Sequence, residues 1–321
     1  PDCMVDLAKK PEYELLKRRM EKEMTARLVE QEDPRMFGRG EQFDRYPDMS
    51  GAYQFWNRTK AGEKVPSGWI SETDFEPVAS GLKSGWNSEN EAEFRIQDFE
   101  QQQHPDVMAK VNKTNGYSLL DNATGIVARK DRVLLIKVGE TGGDTLQIKI
   151  QNLDCPNGDG YENGSSYYLL HEGMNRIIPE NDGLVYVLFH TRGETTGKKV
   201  KVHFLTGEVN GYFDIKKHKA SQWRTLLDKA TYKYFDVLGA YTHLTFPVES
   251  FRQYTPDGKA LVEVFDRIVA LEHEFMGLNK YTDKRFKNRQ YCHVVNKGYM
   301  YAPNYRTAYG IGTMEKVCDI D

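Results

Sequence analysis

Nothing in this chain approaches the run of ~18–20 apolar residues that crosses a bilayer, so no membrane span is expected. It has no long basic run, and Lys+Arg 44 against Asp+Glu 47 leaves a net charge of −3. A surface that tracks phosphates needs a positive excess, so no nucleic-acid partner is expected. The four cysteines, Cys3, Cys155, Cys292 and Cys318, lie far apart without Cys-x-x-Cys spacing, which argues against paired-thiolate zinc and redox motifs. Cys292 and Cys318 leave a disulfide open, buried thiols are the expectation, and the redox compartment stays open. No apolar leader segment is present. Because the chain opens at Pro1 rather than Met, that start is read as a cut rather than a native terminus. P-loop, nucleophile-elbow and Rossmann glycine patterns are all missing. Gly310-Ile311-Gly312 stands without the strand and helix such a loop needs.

What is there is enough to fold. An apolar fraction of 39% with 12% aromatic residues builds real cores, and 321 residues hold two domains or a little more. The organising stretch is residues 200–215. Val200, Val202 and Phe204 alternate with Lys201 and His203, the pattern of a half-buried strand. Turn residues at Gly207 and Asn210-Gly211 follow, and then Tyr212, Phe213 and Ile215 re-enter a core. A β-module on one side of this stretch therefore packs directly on a second layer beyond it.

In chain order, residues 11–30 predict an amphipathic helix, with Tyr13, Leu16, Met20, Met24 and Leu28 on one side and Asp33-Pro34 as its stop. Residues 34–75 scatter aromatics among Gly, Pro and polar residues without period, as a segment draped over another domain does. Residues 76–115 read as a linker that becomes structured near Phe94. From there to residue 206, short strands separated by Gly and Asn turns predict an antiparallel sandwich. Beyond it the spacing predicts a helix from Ser221 to near Gly239, a strand at 241–247, a helix from Thr255-Pro256 to Gly277 and a strand at 291–295. That second helix is expected to turn Leu261, Phe265, Ile268, Val269 and Phe275 inward. The tail from Tyr299 shows no clear period.

Candidate sites are few. His171-Glu172 and His273-Glu274 each begin a His-Glu-x-x-His motif but lack its second histidine, so both read as single surface or cap histidines. His190 and His203, if on neighbouring strands, would form a polar pair without a third ligand. The loop 152–163 is rich in oxygen donors but lacks EF-hand order and its closing Glu, and reads as a solvated loop. Tyr299, Tyr301, Asn304 and Tyr305, with Tyr309, form a dense aromatic and amide cluster. Aromatic faces beside amides stack on and hydrogen-bond to sugars, so this cluster is the nominated substrate-cleft wall, with core packing as its alternative use.

Two resemblances follow. Residues 31–38 (QEDPRMFG) with Phe43-Asp44 and Tyr46-Pro47 resemble the carboxy-terminal tail of bacterial sulfatases of the heparan N-sulfatase type. That family needs a C/S-x-P-x-R motif. The only Cys-Pro here, Cys155-Pro156, continues Asn-Gly-Asp, so no sulfatase site is expected. Residues 121–126 (DNATGI), 181–186 (NDGLVY), 202–207 (VHFLTG), 209–214 (VNGYFD), 266–269 (DRIV) and 300–303 (MYAP) occur in the order of the enhancin-like zinc metallopeptidases, peptidase family M-sixty. In words, this part resembles the amino-terminal portion of enzymes acting on mucin-type glycoproteins.

The resemblance implies an α+β chain: a sulfatase-like tail (1–75), a linker and lead-in (76–115), a β-sandwich module (116–206) and the truncated first part of a mainly helical peptidase domain (207–321). It implies a glycoprotein or glycan substrate, zinc in the full-length family member, and an extracellular, cell-surface or periplasmic location. Residue 321 falls just short of where the zinc helix of that family begins, so no catalytic residue, no metal ligand and no cofactor is assigned to this chain. A non-catalytic carbohydrate-binding module and a sulfatase whose catalytic half precedes Pro1 are the alternatives. The oligomeric state is not set by the sequence.

Overall fold

The computed structural model describes residues 10–40, 86, 88–114, 116, 118–120, 122–154, 164–281, 288–296, 300–302 and 306–320. The chain divides into two compact units, Pro1–Lys83 and Ser84–Asp321. In the first, helix α1 (Glu14–Glu30) follows a 3-10 turn at Pro11–Tyr13, as the sequence predicts. Its stop is the expected one. The Asp33 side chain accepts from Arg35 N at 2.9 Å and caps a second 3-10 turn, Pro34–Phe37. Leu15, Met20 and Met24 of α1 are exposed, so its apolar side is not buried among the described residues.

In the second unit, α2 (Ser88–Arg95) leads directly into β1 (Ile96–Glu100), and β2 (Gln102–Gln103) and α3 (Pro105–Asn112) follow. Then come β3 (Asn122–Ala128), β4 (Leu134–Val138), β5 (Leu146–Gln151), β6 (Ser165–Leu170), β7 (Gly173–Ile177), β8 (Gly183–Leu188), β9 (His190–Thr191), β10 (Lys199–Phe204) and β11 (Glu208–Val209). They build a four-stranded sheet, β1-β10-β4-β7, and a five-stranded one, β11-β3-β8-β5-β6, every pair antiparallel. In β10, Val200, Val202 and Phe204 point inward as the alternation requires. At Gly125 the β3 register shifts and φ is +71°; a Cβ there would lie 2.7 Å from the Phe94 ring. Only glycine fits that approach.

The remainder is a third sheet with helices: β12 (Phe213–Asp214), α4 (Trp223–Asp228), β13 (Tyr234–Leu238), β14 (Thr242–Pro247), α5 (Val248–Tyr254), α6 (Gly258–Phe275), α7 (Leu278–Tyr281), β15 (Gln290–Val295), β16 (Arg306–Gly310) and α8 (Met314–Val317). The sheet order is β12-β13-β14-β15-β16, with β13–β14 antiparallel and the other pairs parallel. This corrects one expectation. The helix foreseen from Ser221 to Gly239 ends at Asp228, and Tyr234 belongs to β13, in a five-stranded sheet that runs among the helices. Every residue of β13 is buried, and a strand covered on both faces loses the alternation that marks a strand in sequence.

Helix α6 keeps its predicted ends but turns a different face inward. Leu261, Val262, Asp266, Val269 and His273 are buried, whereas Ile268 is 51% and Phe275 95% exposed. Asp266 explains the rotation. Its carboxylate accepts from Ala240 N at 2.6 Å, Tyr241 N at 2.8 Å and Thr242 Oγ1 at 2.8 Å, clamping α6 onto the β13–β14 turn. A Cβ on Gly239 would stand 2.4 Å from the same carboxylate. Cys292 and Cys318 are buried free thiols.

Candidate functional site

Pairing register places the polar side chains of the third sheet. Asp236 on β13 faces Thr245 on β14, which faces His293 on β15; one row along, His243 faces Tyr291, which faces Arg306 on β16. Residues opposite or two apart share a sheet face, so these six side chains lie together. They meet Tyr186 on β8 and Gln151 on β5. Tyr186 Oη donates to Asp236 at 3.0 Å, and Gln151 Nε2 donates to Tyr291 Oη at 2.7 Å. The β-module and the third sheet are thus joined by a buried polar seam.

Its centre is a carboxylate. Asp236 Oδ1 accepts from Tyr186 Oη, from Thr245 Oγ1 at 2.6 Å and from His243 Nε2 at 2.9 Å. The other ring nitrogen of His243 lies 2.7 Å from the Leu120 carbonyl oxygen. Both ring nitrogens thus lie within hydrogen-bond distance of oxygens, which fixes the His243 ring between Asp236 and the Leu120 carbonyl. Burial, reinforced by the Asp236 charge, pushes the Tyr186 phenol well above its usual range and keeps it a donor. Beside this group, His293 donates from Nδ1 to Val294 O at 2.9 Å and accepts from Arg306 Nε at 3.0 Å. Burial pulls His293 down to about 4 and Arg306 to about 10.

This seam is not a catalytic relay. The group beyond His243 is a carbonyl oxygen, which has no proton to give and cannot become a nucleophile. Asp236, His243, Thr245 and Tyr186 are at most 1% exposed, so no substrate reaches them. What the arrangement does is satisfy buried polar groups in one geometry only, which fixes how the two sheets meet. The sequence reading missed it. The available signal was Thr-His-Leu-Thr-Phe at 242–246, where His243 and Thr245 stand two apart in an apolar strand.

Of the nominated cleft wall, Tyr299, Asn304 and Tyr305 lie outside the described residues. Tyr301 is 40% exposed and forms a bridge with Ala308, its N donating to Ala308 O at 2.9 Å and its O accepting from Ala308 N at 2.8 Å. It therefore sits beside β16, at the edge of the third sheet, and partial burial raises its phenol. Tyr309 packs against Phe246 and Phe265, with ring centroids 5.7 and 6.2 Å away, which is core use.

The four histidines singled out from the sequence do not converge on one another. His203 on β10 pairs with Ile96 and Lys137, whereas His190 belongs to β9 beside β2, so the expectation of a cross-strand pair fails. His171 is exposed. His273 is only 5% exposed with its ring against Tyr241, a core residue and not the surface or cap histidine expected. The stretch 155–163 of the Asn/Asp/Gly loop lies outside the described residues. Zinc is what the enhancin resemblance implies. Among the described residues, no group of three or more His, Cys, Asp or Glu side chains is arranged to hold a metal ion. The described residues therefore do not fit that ion. No helix among them is long and apolar enough to cross a membrane.

Residues 208–321 match one family model, Peptidase M60, enhancin and enhancin-like. A metallopeptidase solved in complex with Tn antigen is 26% identical, with a TM-score of 0.65 over 72% of this chain and 44% of its own. A metallopeptidase from Bacteroides thetaiotaomicron is 24% identical, with a TM-score of 0.65 over 80% of this chain and 46% of its own. The M60 catalytic domain of Clostridium perfringens ZmpC, in complex with the sialyl T antigen, is 15% identical, with a TM-score of 0.61 over 70% of this chain and 50% of its own. This chain therefore spans half or less of the length of these structures. No curated protein matches it. The mixed helix and sheet architecture is that of M60 metallopeptidases.

Proposed function

We propose that this chain is part of a secreted zinc metallopeptidase that acts on O-glycosylated, mucin-type proteins. It would supply a β-sandwich module (116–206) and the first part of the catalytic domain (207–321), with the zinc-bearing helix outside residues 1–321. The observation that carries this reading is the M60 match over residues 208–321, joined to structural neighbours about twice as long. A further support is the outer face of α6. Val264, Ile268, Leu271 and Phe275, spaced at i, i+4, i+7 and i+11, are 48%, 51%, 54% and 95% exposed. An apolar stripe of this kind marks a surface that another element covers. Tyr301, at the sheet edge, belongs to the cleft wall in this reading. Glycan recognition enters because two neighbours were solved with glycan antigens.

The test is zinc analysis and mucin cleavage by residues 1–321 alone and by the uninterrupted open reading frame. The short chain should hold no stoichiometric zinc and cut nothing, and the long product should do both. Tightly bound zinc in the short chain, or a reading frame continuing without two histidines one helical turn apart, overturns the proposal. A second reading is that the β-module binds carbohydrate without chemistry. Residues 31–47 keep a third in play, a sulfatase tail, whose discriminator is a C/S-x-P-x-R motif upstream of Pro1.

A further inference from the structure

Of the four Asn-Gly pairs in the chain, at 115–116, 157–158, 163–164 and 210–211, the last lies in the stretch that joins the β-module to the third sheet. Asn210 is 0% exposed, and both polar atoms of its side chain are engaged. Oδ1 accepts from Thr231 N at 2.9 Å and from Tyr232 N at 2.8 Å, and Nδ2 donates to Tyr234 O at 3.0 Å. This one side chain holds the segment entering β13 against the end of β11.

The backbone is held as firmly. Asn210 N and Gly211 N both donate to Gly125 O, at 2.8 and 3.0 Å. Gly211 has a φ of +75°, and a Cβ on it would lie 3.0 Å from the Trp86 ring. The fold therefore requires this dipeptide on two separate grounds. Position 210 needs an amide, because it must accept and donate at once. Position 211 needs glycine, because the turn has positive φ and the ring leaves no room. Asn followed by Gly is also a pair open to cyclisation, since glycine puts no side chain in the way of its own nitrogen. The Gly211 nitrogen attacks Cγ of Asn210, a new N–C bond closes a succinimide, and the side-chain nitrogen leaves as ammonia with the proton that Gly211 N gives up. Water then opens the ring at either carbonyl, leaving aspartate or isoaspartate at position 210. In the folded chain neither partner is free to move, because the attacking N–H is bonded to Gly125 O and the amide is pinned through both its polar atoms.

We propose that Asn210-Gly211 is a deamidation site that the native fold closes and unfolding opens. Neither product fits the junction. Aspartate sets an oxygen against Tyr234 O where a donor stood, and buries a charge. Isoaspartate adds a methylene to the main chain between the two N–H groups that share Gly125 O. Brief unfolding stays reversible, whereas a chain left unfolded for longer than the reaction takes cannot rebuild the contact between β-module and third sheet. Nothing in this chemistry needs zinc or a substrate, so it and the peptidase reading fail separately.

The test incubates the full chain at mildly alkaline pH, folded in buffer or unfolded in urea, and maps amide-to-acid conversion at each Asn-Gly pair by digestion and mass spectrometry. Conversion at Asn210 should run about tenfold or more faster in urea, where the reacting atoms can approach. The other three pairs supply the unfolded-state reference rate in the same digest. After urea is removed, chains converted at position 210 should be missing from the refolded monomer and enriched in the aggregate. Asn210→Asp should refold poorly or melt at a lower temperature. Gly211→Ala, followed only in urea, should slow conversion at position 210 severalfold. Equal conversion of Asn210 in the folded and unfolded chain, or converted chains that refold as well as unconverted ones, overturns the proposal. So does an unchanged melting temperature in Asn210→Asp, or an unchanged rate in Gly211→Ala. If Asn210→Asp yields no soluble protein, the partition of converted parent chains decides.

Discussion

Asp236 and Thr245 stand directly opposite each other on β13 and β14, and Thr245 Oγ1 gives its hydrogen bond to the carboxylate oxygen that also receives His243 Nε2. One oxygen thus holds a cross-strand neighbour, a buried histidine ring and, through Tyr186 Oη, the adjoining β-module. Removing the carboxylate strands the hydroxyls of Thr245 and Tyr186 and the His243 ring without their shared partner in the core. Asp236→Ala is expected to lose about 3–5 kcal/mol in denaturant unfolding, and Thr245→Val only ~1 kcal/mol. A loss below ~1 kcal/mol for Asp236→Ala would mean that this carboxylate does not hold the seam together.

Acid should loosen the same seam. His293 protonates near its ordinary 6.5 when unfolded but only near about 4 when folded, because burial disfavours its charge. Between those values the unfolded state binds more protons, so stability is full above about 6.5 and falls as pH drops toward 4. The slope from this one group is at most about 1.4 kcal/mol per pH unit. His104 and His203 are lowered by burial too, so His293→Gln should flatten the pH dependence of the melting temperature without abolishing it. An unchanged slope would count against the His293 assignment.

The Gly239–Asp266 contact admits no side chain. With a Cβ 2.4 Å from the carboxylate that caps three donors, Gly239→Ala should destabilise by about 1–3 kcal/mol, as overpacking does. Equilibrium unfolding checks the size. A stabilised variant would show that the turn relaxes freely.

The stripe on α6 should behave in the opposite way. Ile268→Ser with Phe275→Ser removes apolar groups that are 51% and 95% exposed, so residues 1–321 should keep their stability within about 0.5 kcal/mol per site. Binding of a hydrophobic dye should fall. In the longer reading frame the same pair should destabilise the protein markedly. Equal stability in both lengths would remove the support this stripe gives to the peptidase reading.

The sequence by itself determined the half-buried strands, because water on one side imposes alternation. Val200, Val202 and Phe204 of β10 show it, and Asp33-Pro34 and Gly277 marked helix ends through backbone chemistry that needs no neighbour. The same local logic exposed the missing second histidines of His171-Glu172 and His273-Glu274. Only tertiary structure decided β13, whose two covered faces erase the periodic signal, and the inward face of α6, which Asp266 sets by reaching the β13–β14 turn. It alone gathered Asp236, His243, Tyr186 and Leu120, which lie up to 123 residues apart in the chain. Hydrogen bonds across such separations follow from how sheets stack, and no window of local sequence contains that relationship.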